Sequence, residues 1–361
     1  MAGAKAWFCV AEDHYRLGEI HLDHGRLVEA EKSFKEARRV LGLMHGEDHP
    51  FVATTCTGLG MVYHDMGRYG DALSMYNEAL AIRRRRLGER HSDVATTLCN
   101  IGGVYYVQGN SGKALEYCMQ ALEIETEAKG RESESVAISL CNIGGLYSHL
   151  GEFDKGLEML EEALEILRRI KEGKDGDIVA NPLLNIASIY ANQGKFEEAL
   201  AKYEEALVMF RRLHGEKHPS VANTLHNMAS IHGRRGDLDE ALRLEMKALK
   251  IHRRVLGNKE HFKVAMSLQT IASIHGLQGK YREALEMCEE ALGIYTITVG
   301  FDHPKVADLH YGRGLYREGL GDKEGALESY REALRIYGMH GISNDRAEKA
   351  AERVRRLEGC L

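Results

Sequence analysis

Apolar and small residues recur along this chain with the spacing of paired amphipathic helices, and the pairing returns about every 42 residues. Between Val94 and Gln108, the residues Leu98, Ile101, Gly102 and Tyr105 fall on one helical stripe. Gly109 interrupts that stripe. From about Ser111 a second one runs through Ala114, Leu115, Cys118, Ala121, Leu122 and Ile124. The pattern predicts a helix, a tight turn that needs the left-handed backbone glycine allows, and a second helix. The same text is written eight times. Its turn glycines are Gly25, Gly67, Gly109, Gly151, Gly194, Gly236, Gly279 and Gly321, spaced 42 or 43 apart. Twelve residues after each stands an alanine: Ala37, Ala79, Ala121, Ala163, Ala206, Ala248, Ala291 or Ala333. Seven residues before each stands Gly18, Gly60, Gly102, Gly144, Ala187, Ala229, Ala272 or Gly314. Glycine inside a helix costs about 1 kcal/mol against alanine, so its repeated use implies close helix packing that offsets the loss. A fixed period of this length means stacked units, each burying its apolar face only against its neighbours. The expectation is an all-α solenoid of eight helical hairpins.

The linkers repeat as well: Gly46-Glu47-Asp48-His49-Pro50, Gly215-Glu216-Lys217-His218-Pro219 and Gly300-Phe301-Asp302-His303-Pro304 each lead to a Val-Ala pair. Proline is tolerated in a first helical turn, where its missing N–H is no loss. Pro182 lies later, which predicts a helix that starts late with Asn181 as its cap. The last copy departs from the rest: Tyr316 lies five residues before Gly321 instead of four, and Arg313 replaces an aliphatic residue. Beyond it, Asn344 to Leu357 reads as a capping helix with Ala347, Ala350, Val354 and Leu357 facing inward. The domain expectation is a solenoid over residues 5–337 closed by a C-terminal helix over 343–358.

Charge and cysteine usage narrow the setting. A net charge of −6 argues against a general nucleic-acid or anionic-membrane binder. Seven cysteines without paired spacing point to a reducing, cytoplasmic compartment. Cys118 and Cys288 stand where other copies carry Phe34, Tyr76, Tyr203 and Tyr330, and read as small core residues. Neither a signal peptide nor an apolar stretch of membrane length is present in the sequence. Arginine clusters, Arg38-Arg39, Arg83 to Arg86, Arg168-Arg169, Arg211-Arg212 and Arg253-Arg254, recur near the ends of second helices, where cations complement the helix dipole. An RNA-binding stripe is the less favoured reading. His45/His49 and His214/His218 mimic metal spacing, but they belong to repeated linkers with no acidic or cysteine partner in register. No phosphate-cradling loop and no nucleophile–base constellation is found, so neither cofactor nor metal is expected and the chain reads as non-catalytic.

The order small residue, Tyr, turn Gly, Ala, Ala resembles the tetratricopeptide repeat across residues 5–337. The 42-residue period and the Gly-x-x-His-Pro-x-Val-Ala linker resemble the kinesin light chain variety. Leu98-Cys99-Asn100-Ile101 and Leu225-His226-Asn227-Met228 are similar to its Leu-Asn-Asn-Leu signature, with the first Asn lost. Kinesin light chains carry a heptad coiled coil ahead of their repeats; this chain begins almost directly with the first copy, which argues against a whole motor subunit. The resemblance implies a right-handed superhelical solenoid whose first helices line a concave, peptide-binding groove.

Carried over residue by residue, that groove contains the ladder Asn100, Asn142, Asn185 and Asn227. A carboxamide offers donors and acceptors and can grip a peptide backbone, though it can equally bond a neighbouring helix. Three residues on stand Gly103, Gly145, Ser188 and Ser230, small enough either to admit a ligand or to let helices pack tightly. Specificity is expected from Asn181, Asn223, His226, Ser230, Arg234 and Gln269, and from Tyr106 and His149 earlier. The lysine–asparagine–lysine–arginine set that clamps a C-terminal carboxylate is lacking; Thr57, Cys99, Cys141 and Leu184 stand at the matching positions. Acidic Glu12, Glu19, Asp23 and Asp65 near one end and Arg234 in the middle suggest a ligand of mixed charge. The function expected is a protein-interaction scaffold or adaptor holding a partner's linear segment, with kinesin light chain-like cargo adaptation as one specialisation. The alternative is an assembly or sensor region of a larger signalling protein.

Overall fold

The computed structural model describes residues 2–172, 176–256 and 261–359, with residues 2–6 described as backbone only. These residues are helical throughout, with no strand among them. They fall into two compact units, Met1–Asp23 with Leu27–Glu216, and His24–Arg26 with Lys217–Leu361. The first holds α1 (Ala2–Asp23), α2 (Leu27–His45), α3 (Pro50–Asp65), α4 (Tyr69–Leu87), α5 (Ser92–Val107), α6 (Ser111–Lys129), α7 (Glu134–His149), α8 (Phe153–Ile170), α9 (Asp177–Asn192) and α10 (Phe196–His214). The second holds α11 (Pro219–Arg235), α12 (Leu238–Leu256), α13 (Phe262–Leu277), α14 (Tyr281–Val299), α15 (Pro304–Gly319), α16 (Lys323–Met339) and α17 (Asp345–Glu358). Each odd-numbered helix from α1 to α15 packs most heavily on the helix that follows it, giving the eight expected hairpins.

One turn chemistry closes them. The eight turn glycines all have φ between +70° and +89°, a region other residues avoid. After α5, Gly109 N donates to Tyr106 O (2.9 Å) and Asn110 N donates to Tyr105 O (2.8 Å), which together satisfy two orphan carbonyls of the helix end. The same pair of bonds follows α3, α7, α9, α11, α13 and α15. The tyrosines at this point are lidded by a cation from the turn: Lys113 sits 5.1 Å from the Tyr105 ring centre, Lys155 5.4 Å from Tyr147, and Lys195 5.7 Å from Tyr190. His232 holds the equivalent place in α11 and pairs with Asp237 at 3.3 Å, half-buried and not sealed in the core. His275, its counterpart in α13, is likewise half-buried.

Within a hairpin, a small residue on the first helix faces a large one on the second. A Cβ added to Gly18 would meet the Phe34 ring at 2.9 Å, and at Gly60 or Gly314 it would meet Tyr76 or Tyr330 at 2.5 Å. Those rings are 3% exposed or less, and the eight repeated alanines are all 0% exposed. The mid-helix glycines are therefore seats for rings.

The first helices begin on histidine. His49, His91, His218, His261 and His303 occupy the cap positions of α3, α5, α11, α13 and α15, and the Nδ1 of each accepts a backbone N–H two residues on, at 3.0–3.3 Å. This role of the repeated His-Pro linker was not anticipated from its spacing. Capping needs neutral imidazole with its proton on Nε2. At α9 the expectation of a late start capped by Asn181 is corrected. The helix begins at Asp177, and Pro182 lies inside it. Val179, Ala180, Pro182 and Leu183 are all buried there, so packing outweighs the hydrogen bond that proline forgoes. The closing helix forms as expected, with Asn344 Oδ1 accepting Ala347 N at 2.9 Å and with Ala350 and Leu357 buried.

The arginine clusters serve the stack. Arg38 reaches Glu78 (2.6 Å), Arg168 reaches Glu205 (2.9 Å) and Arg253 reaches Glu290 (2.7 Å), each tying one copy to the next. Arg85 and Arg86 both hold Asp48.

Two outcomes are expected. Ala163→Leu should lower unfolding free energy by about 1–3 kcal/mol in urea denaturation, because a larger side chain has no space between the helices. Acid should also weaken the fold. His252 and His310 are held down to about 4, in both cases mainly by burial, with Lys263 opposing charge on His252 and Arg313 on His310. Their neutral forms contribute stability that is complete above the ordinary 6.5 and declines as pH falls toward about 4. Each unit of depression corresponds to about 1.4 kcal/mol. The melting temperature should drop across that window, and His310→Leu, which removes a buried Nδ1 that has no partner, should flatten the drop.

Candidate functional site

A cavity of about 300 Å³ opens on the face made by α5, α7 and α9 in the first unit. Its origin lies in the ring-and-seat arrangement. Gly102 on α5 is a seat like Gly60, but the facing residue on α6 is Cys118, whose Sγ would stand 2.9 Å from an added Cβ. A thiol fills far less volume than the tyrosine of the neighbouring copy. In the fourth copy Leu160 covers Gly144 at 2.6 Å, so the space is open only where the third copy meets it. Cys99, Gly102, Gly103 and Tyr106 line it from α5. Cys141, Asn142, Gly145 and Leu146 line it from α7, and Asn185 reaches it from α9.

Two of the expected ladder residues therefore meet at one place. Asn142 is exposed and lines the cavity from α7. Asn185 is half-buried and its Nδ2 donates to Cys141 O at 3.4 Å, so it also ties α9 to α7, as the structural reading of the ladder required. Tyr106 and His149 come together as well. Their rings are 4.9 Å apart, edge to face, and His149 Nδ1 lies 3.1 Å from Ser111 Oγ. Asn100 is half-buried on α5 but does not line the cavity, and Asn181 is exposed on α9.

The remaining candidates belong to the second unit. Asn223 Oδ1 lies 3.3 Å from His252 Nε2, and His252 Nδ1 lies 3.2 Å from Ser267 Oγ. His226 Nδ1 pairs at 2.9 Å with Glu245, a carboxylate 0% exposed that stands at the ring position of the sixth copy. Asn223 and His226 thus hold α11 against buried polar groups of α12. Asn227 and Gln269 are half-buried, while Ser230 and Arg234 are exposed.

The small residues beside the ladder separate cleanly. A Cβ at Gly102 or Gly144 would meet side-chain atoms at 2.9 Å or 2.6 Å, but at Gly103 or Gly145 it would meet nothing within 4 Å. Packing explains the first pair and not the second, whose bare backbone faces the cavity. Sequence reasoning put Cys99 and Cys141 at matching groove positions and Cys118 in the core, but did not see that the three share one wall. Cys99 and Cys141 are equivalent positions one repeat apart, and that spacing was the available signal. Among the described residues, no group of histidine, cysteine or carboxylate side chains could hold a metal ion, and no helix is long and apolar enough to cross a membrane.

Stacked hairpins with an open face of first helices define a helical-repeat scaffold. Residues 102–310 match the MalT-like TPR region, and residues 11–85 and 307–338 match further tetratricopeptide repeat models. The first match alone spans more than half the chain, and the chain belongs to the tetratricopeptide repeat family. It is similar in fold to BtubC (BKLC) from P. vanneervenii, at 20% identity and a TM-score of 0.53 over 66% of this chain and 92% of that one. Yeast Tom70 is similar at 15% identity and a TM-score of 0.64, over 97% of this chain and 64% of Tom70. A Rap protein solved in complex with competence and sporulation factor is similar at 15% identity and a TM-score of 0.58, over 99% and 98%. No curated protein matches the chain.

The glycine distinction is measurable. Gly103→Ala and Gly145→Ala should each raise stability by up to about 1 kcal/mol in thermal unfolding, since they gain helix propensity without a clash. Gly102→Ala should lower it, and equal responses from all three would refute the distinction.

Proposed function

We propose that this chain is a non-catalytic adaptor that captures a linear segment of a partner protein on the face of its first helices. The observation that carries the reading is the bare backbone of Gly103 and Gly145 beside Asn142 and Asn185 in one cavity. Glycine mid-helix is unfavourable, and here no packing neighbour accounts for it, so open access to the cavity is the remaining physical reason. The cavity takes one large apolar side chain of the ligand in the volume that a tyrosine fills elsewhere. The carboxamides of Asn142 and Asn185 then reach its backbone. Affinity comes from a preformed surface that loses little entropy on binding. The recognition unit is the repeat array over residues 5–337, with the helix over 343–358 as its cap. Cargo adaptation of the kinesin light chain type in the cytoplasm is the specialisation that the repeat type favours. An RNA-binding role is disfavoured because Arg38, Arg85, Arg168 and Arg253 are engaged with acidic residues of adjoining copies.

A peptide-array screen with the wild type, followed by affinity measurement, tests this. Cys118→Tyr should keep or raise the melting temperature while weakening the selected peptides by roughly tenfold or more, a loss of about 1.4 kcal/mol. The Asn142→Ala/Asn185→Ala variant should weaken them too. Undiminished binding by both folded variants would remove this site from the account.

A further inference from the structure

The face of first helices in the first unit opens a second time, between α1 and α3. Phe8, Ala11 and Tyr15 of α1, Leu41 of α2 and Phe51 of α3 wall a cavity of about 420 Å³. A neighbouring cavity of about 540 Å³ continues along α1 past Ile20 and Leu22, and is lined by Phe34 and Met61. Both are lined by Tyr15, Arg16 and Glu19, so they form one groove. Its α1 wall runs from Phe8 to Asp23, about 22 Å of helix at 1.5 Å rise per residue. We infer that this groove holds a basic, apolar segment of a partner protein: about seven extended residues in which large apolar side chains alternate with lysine or arginine. The inference rests on the adaptor reading for its linear ligand, but the groove is distinct from the asparagine cavity of α5, α7 and α9.

The apolar lining is not something the repeat itself requires. Just ahead of the Val-Ala pair that opens each first helix, later copies carry Asp93, Ser135, Ile178, Ser220, Lys263 and Lys305, all but one polar or charged. The second copy carries Phe51 there, and it is 48% exposed. Its ring lies 5.4 Å from that of Phe8, so the two form an aromatic lip across the groove. Met61, 44% exposed, stands where the third and fourth copies have Gly103 and Gly145. Exposed apolar side chains gathered in one place and rimmed by charge mark a surface for a protein partner.

Charge selects the kind of partner. Glu12, Glu19 and Asp23 line the groove, against one cation, Arg16. Arg16 donates to Glu12 at 2.6 Å, so the surplus negative charge stands at Glu19 and Asp23, both exposed. Across the groove α3 has neither lysine nor arginine, and its Asp65 lies 3.1 Å from His64. Arg83 of α4 acts on the Tyr15 phenol, but it is 9% exposed and donates to Thr97 Oγ1 at 2.6 Å, inside the stack. A cleft with apolar walls and charge of one sign attracts ligands of the other sign and repels its own. In an extended segment alternate side chains leave opposite sides, so the apolar set enters the groove and the basic set lies along its carboxylate rim.

The test is fluorescence anisotropy of the full chain with three labelled seven-residue probes. The first alternates lysine with phenylalanine, the second replaces each lysine by glutamate, and the third replaces each phenylalanine by serine. The first should bind at least about tenfold more tightly than either of the others, and should weaken as salt is raised. Glu19→Gln/Asp23→Asn and Phe51→Ser should each weaken it by about tenfold with circular dichroism unchanged, whereas Asn142→Ala/Asn185→Ala should leave it as it is. Equal or tighter binding of the glutamate probe would overturn the inference, as would wild-type affinity in both folded groove variants. Failure of the lysine–phenylalanine probe, while peptides selected on the array still bind in a manner sensitive to Asn142 and Asn185, overturns this groove alone and leaves the adaptor reading standing.

Discussion

The structure depends on one contact, repeated: a side-chain ring or branched chain of the second helix resting on a nearly bare backbone of the first. Glycine at Gly18, Gly60 and Gly314 leaves room for Phe34, Tyr76 and Tyr330 to approach to within van der Waals limits of the helix itself. The buried alanines further along each second helix extend the same close approach. Interiors packed at this density tolerate neither added nor missing volume without consequence. The hairpin angle, and with it the position of the next copy, follows from that contact. Caps and ion pairs refine the stack, but they do not set the distance between its helices.

A repeated contact makes its exceptions informative. At the ring position the sixth copy has Glu245, and a buried carboxylate must find a partner, which it does in His226. The charge is accommodated inside the hairpin, and the face above it stays closed by the protein's own groups. The third copy has Cys118, which demands no partner and fills little space, so the vacancy opens outward. Both changes replace one aromatic residue. One yields an internal polar link and the other a cavity, because a buried charge carries a desolvation penalty that a missing methylene or ring does not.

Sequence periodicity carried nearly all of the architecture, since turn glycines, alanines and seats each answer to one backbone requirement per copy. It failed where two requirements compete. Pro182 reads as a breaker, yet it is buried with three neighbours, Val179, Ala180 and Leu183, and that packing keeps α9 helical from Asp177. The histidines of the linkers read only as mimics of metal spacing, because side-chain caps are usually Ser, Thr, Asp or Asn; geometry shows Nδ1 in the capping role. The asparagine ladder was legible as a row, but the row is not uniform in role. Asn185 bonds a carbonyl of α7 while Asn142 stands exposed at the cavity, distinctions set by neighbours one repeat away and invisible in the period itself.

A repeat array can acquire a binding site in two ways: by adding residues to its loops or by subtracting volume from its stack. Here the site arises by subtraction. The seat at Gly102 remains, so the first helix keeps its shape. The cap at His91 and the Gly109 turn also remain, so its ends stay fixed. What changes is one side chain on the far helix. A cavity made this way inherits rigid walls from the packing around it, and a ligand group entering it meets a surface already shaped for a ring. Such a surface can offer selectivity for a large apolar side chain without flexible loops, because the helices that line it have little freedom left to lose.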